Sequence, residues 1–399
     1  MVDVFWIGVW KEWGNCRDRP HQALRKSRHA FRFSCQNPAP NALLKTMVPL
    51  VRAAALINFM EVAESLGFNP REALRHAGLN QNLLKDPEQR ISADAVITLL
   101  EEAAAGSGCI TFGLRMAESR QLSSFGAISL LISHQATLRD ALVTTMDYRH
   151  LVNESLAMQL EDAGKMVILR QELVITRPSR QGAELALGVL YRMCSALMGP
   201  QWRPHSVNFV HSAPPDLRLH RRVFACRLDF DSEFNGFVFA ASDLAAPNPH
   251  ADPAMARYAR QFIESLPQSH RHPIVLEVRR AIYLMLPMGR ATSDSVAQGL
   301  GMSVRSMQRQ LDEAGASFTA LLNAVRCELA PRYMENPSFS LSRISEMLGY
   351  STQGSFTRWF AAQFEELPSA WREREAGKRR AGGQGGRTAS RPSARRPAI

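Results

Sequence analysis

The chain has 399 residues, 45% of them hydrophobic and 21% charged, which fits a folded protein of two or three domains and excludes a disordered chain. No uncharged apolar run reaches the ~18 residues that span a bilayer, so no membrane partner is expected. The net charge of +11 comes from the ends, because residues 1–46 carry +5 and residues 377–399 carry +7. Residues 47–376 therefore carry a net charge of −1. The basic net charge of the whole chain is thus no evidence that its folded part binds nucleic acid.

Residues 1–46 show neither helical nor strand periodicity and predict an unstructured basic extension. A clean apolar pattern begins directly after Met47, so the alternative is that translation starts at Met47. The apolar first residues have no basic residues before them, unlike a secretory signal. No two of the six cysteines form a CxxC pair, and we therefore expect reduced thiols in a cytoplasmic protein.

Residues 47–245 predict one α+β domain that senses a ligand or dimerises. Helical spacing recurs around residues 49–66, 92–105, 127–143 and 183–198. Alternating apolar residues over 155–175, with a turn at Asp162–Lys165, predict a β-hairpin, and strand-like pieces follow at 206–211 and 228–239.

Residues 246–272 are rich in proline and histidine and predict a linker with a short helix at 254–266. The triplet His270-Arg271-His272 lacks a supporting cysteine or carboxylate cluster, so no metal or other cofactor is expected. Residues 273–374 predict an all-α domain. The Gly- and Arg-rich residues 375–399 predict a disordered basic tail.

Two similar patterns occupy the all-α part, and the first spans residues 293–311. Ser293 is expected to cap a short helix that ends at Gly301, where a left-handed backbone favours glycine. Ser303 is expected to cap a second helix with an apolar inner face. The outer face of this second helix carries Arg305, Gln308 and Arg309. Such spacing is typical of a helix–turn–helix unit.

The second pattern spans residues 341–360 and repeats this order. Gly349 provides the turn and Ser351 is expected to cap the second helix. The outer face carries Gln353, Thr357 and Arg358. Between the two patterns, residues 318–334 predict one amphipathic helix.

Two such units 48 residues apart, joined by one helix, resemble the DNA-binding domain of the AraC/XylS family of bacterial transcription regulators. The matching runs are Gly301–Arg305, Gln308–Leu311, Leu348–Tyr350 and Pro368–Arg372. The N-terminal part is similar, more loosely, to the α/β sensor domain of one branch, which includes ornithine-responsive and mycobacterial virulence regulators. The runs Thr111–Arg115 and Phe125–Ile128 carry that similarity.

The resemblance implies that both outer faces enter adjacent major grooves of double-stranded DNA, roughly 34 Å apart. Arginine can bind guanine and glutamine can bind adenine with two hydrogen bonds each. It also implies a small-molecule effector bound within residues 47–245, with RNA polymerase and a second copy of the chain as further partners.

The second unit departs from the family pattern in ways that predict a weaker reader. Ser345 stands where the family usually has alanine, and its hydroxyl is tolerable only if it bonds back to a helix carbonyl. Gly354 is a poor helix former on the outer face. Ala361 and Ala362 replace common basic residues, and Glu365 with Glu366 occupies a turn where glycine is common.

No motif for a nucleophile elbow, a phosphate loop, a dinucleotide fold or a zinc protease occurs, so no enzyme is expected. An N-terminal enzyme fused to a DNA-binding domain stays a minor alternative. The other alternative is a ligand-independent DNA-binding protein whose N-terminal domain only dimerises. Arg115 and His134 could face an effector carboxylate, although a structural hydrogen-bonding role is the simpler expectation for each.

Overall fold

The computed structural model describes residues 48–175, 177–266 and 273–384, with side chains up to residue 377. The predicted extension, the His270–His272 motif and residues 385–399 lie outside the described residues. Buried apolar side chains form two cores, one drawn from residues 51–263 and one mainly from residues 275–371. The predicted fold class, an α+β N-terminal domain followed by an all-α C-terminal domain, is confirmed.

The strands of the N-terminal domain form a small mixed sheet and a separate antiparallel pair. Its strands are β1 (Leu50–Arg52), β2 (Arg90–Ser92), β3 (Leu156–Ala163), β4 (Met166–Leu173), β5 (Ser206–Asn208), β6 (Arg227–Asp229) and β7 (Gly236–Ala240). Five of them form one sheet in the order β3-β4-β7-β5-β6, with β5 and β6 parallel and the other neighbours antiparallel. The remaining two, β1 and β2, form a separate antiparallel pair.

Helices cover this sheet and enclose the first core. They are α1 (Phe59–Ser65), α2 (Pro70–His76), α3 (Ala93–Ser107), α4 (Phe112–Glu118), α5 (Ile128–Ser133), α6 (Leu138–Asp147), α7 (Arg180–Met198), α8 (Arg218–Phe224), α9 (Ala241–Leu244) and α10 (Pro253–Ser265). Short 3-10 turns lie at Ala53–Leu56, Gln81–Lys85, Leu122–Phe125 and Arg149–Leu151. The hairpin of β3 and β4 agrees with the predicted one, and Gly164 at φ +76° makes its turn.

Helices α4 and α7 cross at contact distance, which explains one of the family-like runs. A Cβ atom on Gly113 would lie 2.1 Å from the carbonyl oxygen of Gln181. A Cβ atom on Gly188 would lie 2.4 Å from the Cβ of Ala117. Any side chain at either glycine would therefore force these two helices apart.

The helix predicted over residues 49–66 is wrong in its first half. Strand β1 and the 3-10 turn Ala53–Leu56 occupy that half, and β1 forms because Val51 pairs with Ile91, a residue distant in sequence. Helix α1 begins only after Asn58, whose φ of +66° is left-handed and cannot continue a helix. A local periodicity cannot reveal such a long-range pairing.

Two further predicted elements are split. The helix expected over 127–143 becomes α5 and α6, because the Thr137 side chain accepts a hydrogen bond from the Asp140 amide and caps a new helix. The strand expected over 228–239 becomes β6 and β7, with Asp231 at φ +55° between them.

Helix α10 matches the short helix expected in the linker, and it is packed rather than free. Asp252 caps it by accepting hydrogen bonds from the amides of Ala254 and Met255. Ala259 and Ile263 are buried in the N-terminal core.

The C-terminal domain is a bundle of helices. They are α11 (Ile274–Met285), α12 (Ser293–Gly299), α13 (Val304–Glu313), α14 (Phe318–Met334), α15 (Leu341–Met347), α16 (Gln353–Phe364) and α17 (Pro368–Gln384), with a 3-10 turn at Leu286–Met288. Helix α14 covers the predicted residues 318–334. Helix α17 continues to Gln384, so the expected unstructured tail does not begin at residue 375. Good helix formers at the other positions between residues 371 and 381 favour this continuation despite Gly377.

Among the described residues, no single helix is long and apolar enough to cross a membrane. Helices α3 and α4 reach that length and apolar character only when they are taken together, and the chain bends by 107° between them.

Candidate DNA-reading surface and its connection to the N-terminal domain

The first helix–turn–helix unit consists of α12, a turn at Gly301 and α13. Gly301 has φ +67°, as the predicted glycine turn requires. Ser303 caps α13 as predicted, because its Oγ accepts a hydrogen bond from the Ser306 amide at 3.1 Å. Helix α12 is capped by Thr292 and not by the predicted Ser293, which is its first helical residue. The neighbouring hydroxyl residues made this position ambiguous from sequence alone.

Helix α13 buries one face and exposes the other. Met307 and Leu311 are completely buried in the C-terminal core. The predicted reading residues Arg305, Gln308 and Arg309 are all exposed. The Arg309 Nε lies 3.7 Å from a Glu313 carboxylate oxygen, and both side chains are largely exposed. Such an exposed pair is weak, so Arg309 stays available for a stronger partner.

The second unit consists of α15, a turn at Gly349 and α16. Gly349 has φ +70°. Thr352 caps α16 by accepting a hydrogen bond from the Ser355 amide at 3.2 Å, so the predicted cap Ser351 is wrong by one residue. Among the predicted reading residues, Gln353 and Arg358 are exposed and Thr357 is half-buried.

Two of the departures in the second unit, at Ser345 and Glu365, leave an unfavourable feature in the structure. Ser345 is 1% exposed and its Oγ meets no hydrogen-bond partner among the described residues, so the expected bond to a helix carbonyl is not made. Glu365 ends α16 at φ +58°, a conformation that favours glycine. A Cβ atom on Gly354 would meet no atom within 4 Å, so space does not require glycine there.

Helix α14 holds the two units in one body. Leu321, Val325 and Leu329 are buried between them. Arg326 donates from Nε to the carbonyl of Leu348 at 2.9 Å, and its guanidinium lies 4.3 Å from the centre of the Tyr350 ring. These contacts attach the linker helix to the turn of the second unit.

The N-terminal domain reaches into the C-terminal core. Ala157 on β3 and Val174 after β4 are buried among the side chains of the second core. Arg280 on α11 is 2% exposed and donates from Nε to the carbonyl of Glu154 at 2.8 Å. Burial lowers the pKa of Arg280 to about 10, so it stays cationic at neutral pH.

Ion pairs add to this junction, and their distribution is uneven. Arg149 pairs with Glu277 on α11, Arg332 on α14 with Glu172 at 2.9 Å, and Arg343 on α15 with Glu233 at 2.6 Å. Among the described residues, no side-chain hydrogen bond or ion pair joins the first unit to the N-terminal domain. The described contacts between the two domains therefore run through α11, the linker helix and the second unit.

A cavity of about 440 Å³ lies at this junction and is called the junction cavity. Its walls include Gln171, Glu172, Arg180 and His211 of the N-terminal domain and Tyr283, Glu328 and Arg332 of the C-terminal domain. Most of its charges are already paired: Arg332 with Glu172, and Arg180 with the buried Glu184 at 3.0 Å. Burial lowers the pKa of His211 to about 4, although its Nε2 lies 3.4 Å from Glu184.

A second cavity, of about 120 Å³, lies inside the N-terminal domain and is called the Arg120 cavity. Helices α3 and α7 and strands β3 and β4 line it, mostly with aliphatic side chains. Arg120 is 3% exposed at its edge, and burial lowers the pKa of its guanidinium to about 10. Sequence reasoning did not single out this residue, because its burial depends on the distant segment at Ala54 and Ala55.

The two residues proposed from sequence for a carboxylate lie elsewhere. Arg115 is exposed, and the His134 Nδ1 lies 3.1 Å from the carbonyl of His250. Neither residue lines either cavity. Within the described residues, no group of three or more His, Cys, Asp or Glu side chains is placed to hold a metal.

Two family models match the chain in the order that the fold suggests. Residues 67–248 match the arabinose-binding N-terminal domain of AraC transcription regulators, and residues 296–374 match a helix–turn–helix domain. The chain is 27% identical to the HTH-type transcriptional regulator VirS of Mycobacterium tuberculosis over 81% of its length and 96% of that protein. It is 25% identical to the ornithine utilization regulator of Pseudomonas aeruginosa over 82% of its length and 96% of that protein.

The crystal structure of the transcriptional regulator CdpR from Pseudomonas aeruginosa covers 76% of this chain and 96% of its own, at 16% identity and a TM-score of 0.37. VirS and the ornithine utilization regulator are both named as transcription regulators, which confirms the expectation that the chain is no enzyme. The chain is a DNA-binding transcription regulator of the AraC family with a sensor-type N-terminal domain.

Proposed function

We propose that the protein recognises a specific two-part DNA site through α13 and α16 and that a small-molecule effector, bound by the N-terminal domain, changes this binding. The observation that carries the DNA half is the exposure of polar side chains on two helices whose opposite faces are buried. Arg305, Gln308 and Arg309 would read one major groove. Gln353, Thr357 and Arg358 would read the next.

The shared core and the ion pairs at the junction support the effector half. A ligand regulates DNA binding only if it binds two arrangements of the protein with different affinity. The buried hydrogen bond from Arg280 to the Glu154 carbonyl joins α11 directly to the N-terminal domain. Residues 47–245 would be the sensing domain, 246–272 the connection and 273–374 the DNA-binding domain.

This function places the protein in the cytoplasm, with RNA polymerase and a second copy of the chain as further partners. A ligand-independent regulator whose N-terminal domain only dimerises is the alternative. It would show no stabilisation by any metabolite, since a ligand that binds the native state raises its melting temperature.

Selection from sheared genomic DNA tests the proposal. The full chain, its Arg309→Ala variant and an Arg218→Ala control each select fragments, which are then sequenced. Arg218 is highly exposed in the N-terminal domain, so its loss matches the charge change away from α13. We expect a two-part site about one helical turn long, with one half relaxed by Arg309→Ala only. Enrichment that is unchanged by Arg309→Ala would contradict the assigned reading face.

A further inference from the structure

Arg120 is a buried cation without an acidic partner. Its guanidinium donates hydrogen bonds to the carbonyl oxygens of Ala54 and Ala55, the second at 2.6 Å, while its Nε meets no partner. Among the described residues, no carboxylate forms an ion pair with it. Arg120 stays protonated at neutral pH because its pKa is still about 10.

The other arginines that are buried in the described part of the chain are paired with acids. Arg52 pairs with Glu88, Arg279 with Glu328 at 2.7 Å, and Arg280 with Glu277 at 2.7 Å. An uncompensated buried charge is strongly unfavourable, so proteins normally provide a counter-ion. Arg120 departs from this rule at the edge of a cavity, where no acid of the described residues pairs with it, and this points to an anion bound from solution.

The walls of the Arg120 cavity define what the rest of that molecule must be. They are aliphatic or aromatic over most of their area, with Val96, Ile97, Leu100, Phe125, Leu185 and Val189 among them. The volume of about 120 Å³ is close to that of an engineered apolar cavity of about 150 Å³ that binds benzene. The cavity therefore suits a compact apolar body of about one ring or a short chain.

We propose that the Arg120 cavity is the effector site and that it binds a small apolar carboxylate whose anionic group is held by Arg120. This inference rests on the effector half of the proposed function and names its ligand class. The junction cavity is a poorer candidate because its cations Arg180 and Arg332 already pair with acids. A carboxylate on Arg120 would give this buried guanidinium the acidic partner that the described residues do not provide.

The start of β3 connects this cavity to the DNA-binding domain. Asn153, Ser155 and Leu156 line the Arg120 cavity. Glu154 lies between Asn153 and Ser155, and its carbonyl accepts the hydrogen bond of Arg280. Ala157 follows Leu156 and packs in the C-terminal core. One short segment thus contacts the ligand site on one side and α11 on the other, and a ligand that shifts it shifts the DNA-binding domain.

Binding of acids and their neutral counterparts to the full-length protein tests the ligand class. Benzoate and hexanoate are titrated by calorimetry beside benzamide and hexanamide, which have the same shape without the charge. Chloride and sulfate serve as anions without an apolar body. We expect each acid to bind at least about tenfold more tightly than its amide, since hydrogen bonds between charged groups are stronger than neutral ones. Neither inorganic ion should match the acids.

Variants of Arg120 locate the effect. Arg120→Met should abolish the preference for acid over amide, while Arg120→Lys, which keeps the charge, should retain part of it. Arg222→Met is the matched control, because Arg222 is exposed in the same domain and pairs with Glu118. If Arg120→Met fails to fold, the ratio of acid to amide affinity in the wild type and in Arg120→Lys still decides the matter.

Equal affinity for acid and amide, or no binding of either acid, would overturn the inference. Selection of a two-part DNA site by the same protein separates this from failure of the proposed function. A protein that selects its DNA site but ignores both acids disproves only the carboxylate site. DNA affinity that stays unchanged at saturating acid would disprove the connection through Glu154.

Discussion

The two helix–turn–helix units share one architecture and differ in their local packing and in their contacts with the N-terminal domain. The first has a capped recognition helix, a glycine turn and an outer face of Arg305, Gln308 and Arg309. The second carries an unpartnered buried hydroxyl at Ser345 and a left-handed Glu365.

The second unit is also the one that the N-terminal domain holds. Arg343 on α15 pairs with Glu233, and the linker helix pairs with Glu172 through Arg332. This difference suggests a division of labour, in which the first unit provides most of the sequence recognition and the second responds to the N-terminal domain. Variants that affect one unit and spare the other can test this division.

The largest expected difference is between the two arginines of the reading faces. Arg309→Ala should cost ~1–3 kcal/mol of binding free energy on the identified site, because each two-bond contact with a base has about that value. Arg358→Ala should cost less, since its helix carries the weaker face. Equilibrium binding of both variants at one fixed salt concentration checks this. A larger loss for Arg358→Ala would reverse the assignment.

Acid offers a way to weaken the N-terminal domain without changing either unit. The pKa of His211 is about 4 in the folded chain and 6.5 as a free group, so between these values the unfolded state binds more protons and stability falls as the pH falls. From pH 7 to pH 5 this group should remove about 2 kcal/mol from the free energy of unfolding.

Denaturant melts at both pH values, with His211→Gln as the reference, measure that contribution. The variant should lose most of the difference in stability between the two pH values. If DNA selection at pH 5 relaxes the half-site of α16 before that of α13, the second unit depends on the N-terminal domain. An equal slope in wild type and variant would assign the acid sensitivity to another group.

Removal of the unpartnered hydroxyl should stabilise the second unit. Ser345→Ala should raise the free energy of unfolding by about 1–2 kcal/mol, because a buried polar atom without a hydrogen bond costs about that much. Ser342→Ala on the exposed side of the same helix is the control and should change little. A destabilised Ser345→Ala protein would show that the hydroxyl has a partner in solution.

Relief of the left-handed residue should give a slightly smaller gain. Glu365→Gly should stabilise the chain by about 1 kcal/mol, since glycine adopts this conformation without a steric penalty. Glu365→Ala removes the charge but keeps the conformation, so thermal melts of the two variants separate strain from electrostatics. Equal gains in both would attribute the effect to charge alone.

The smallest effect is expected from the half-exposed pair that joins α15 to the N-terminal domain. A double-mutant cycle with Arg343→Gln and Glu233→Gln should give a coupling free energy of ~0.2–1 kcal/mol, as is usual for such pairs. Loss of this pair should weaken recognition of the half-site that α16 reads more than recognition of the half-site that α13 reads. A coupling of zero, with both half-sites unchanged, would remove this pair from the communication between domains.

Local patterns predicted much of the C-terminal domain. Gly301, Gly349 and the helix over 318–334 follow from turn chemistry and periodicity, and both recognition helices expose most of the residues expected. The caps at Thr292 and Thr352 were missed by one residue because adjacent hydroxyl residues cap equally well. Thr357, expected outside, is half-buried.

Contacts between distant segments could not be predicted in the same way. Strand β1 exists because Val51 meets Ile91, and Arg120 is buried because the chain returns to Ala54. The bond between Arg280 and Glu154 crosses from one domain to the other. None of these pairs leaves a periodic trace in the sequence, although Val51, Ala54 and Arg120 all line the proposed effector site.

The rigid attachment of two unlike units to one helix has a consequence for the promoter. A DNA site filled by α13 and α16 together has no two-fold axis, because its halves meet different side chains in a fixed order. One bound chain therefore points in one direction along the duplex and presents its N-terminal domain on one side of the site only. Inverting the site in place would turn that domain away from the start of transcription while leaving affinity untouched.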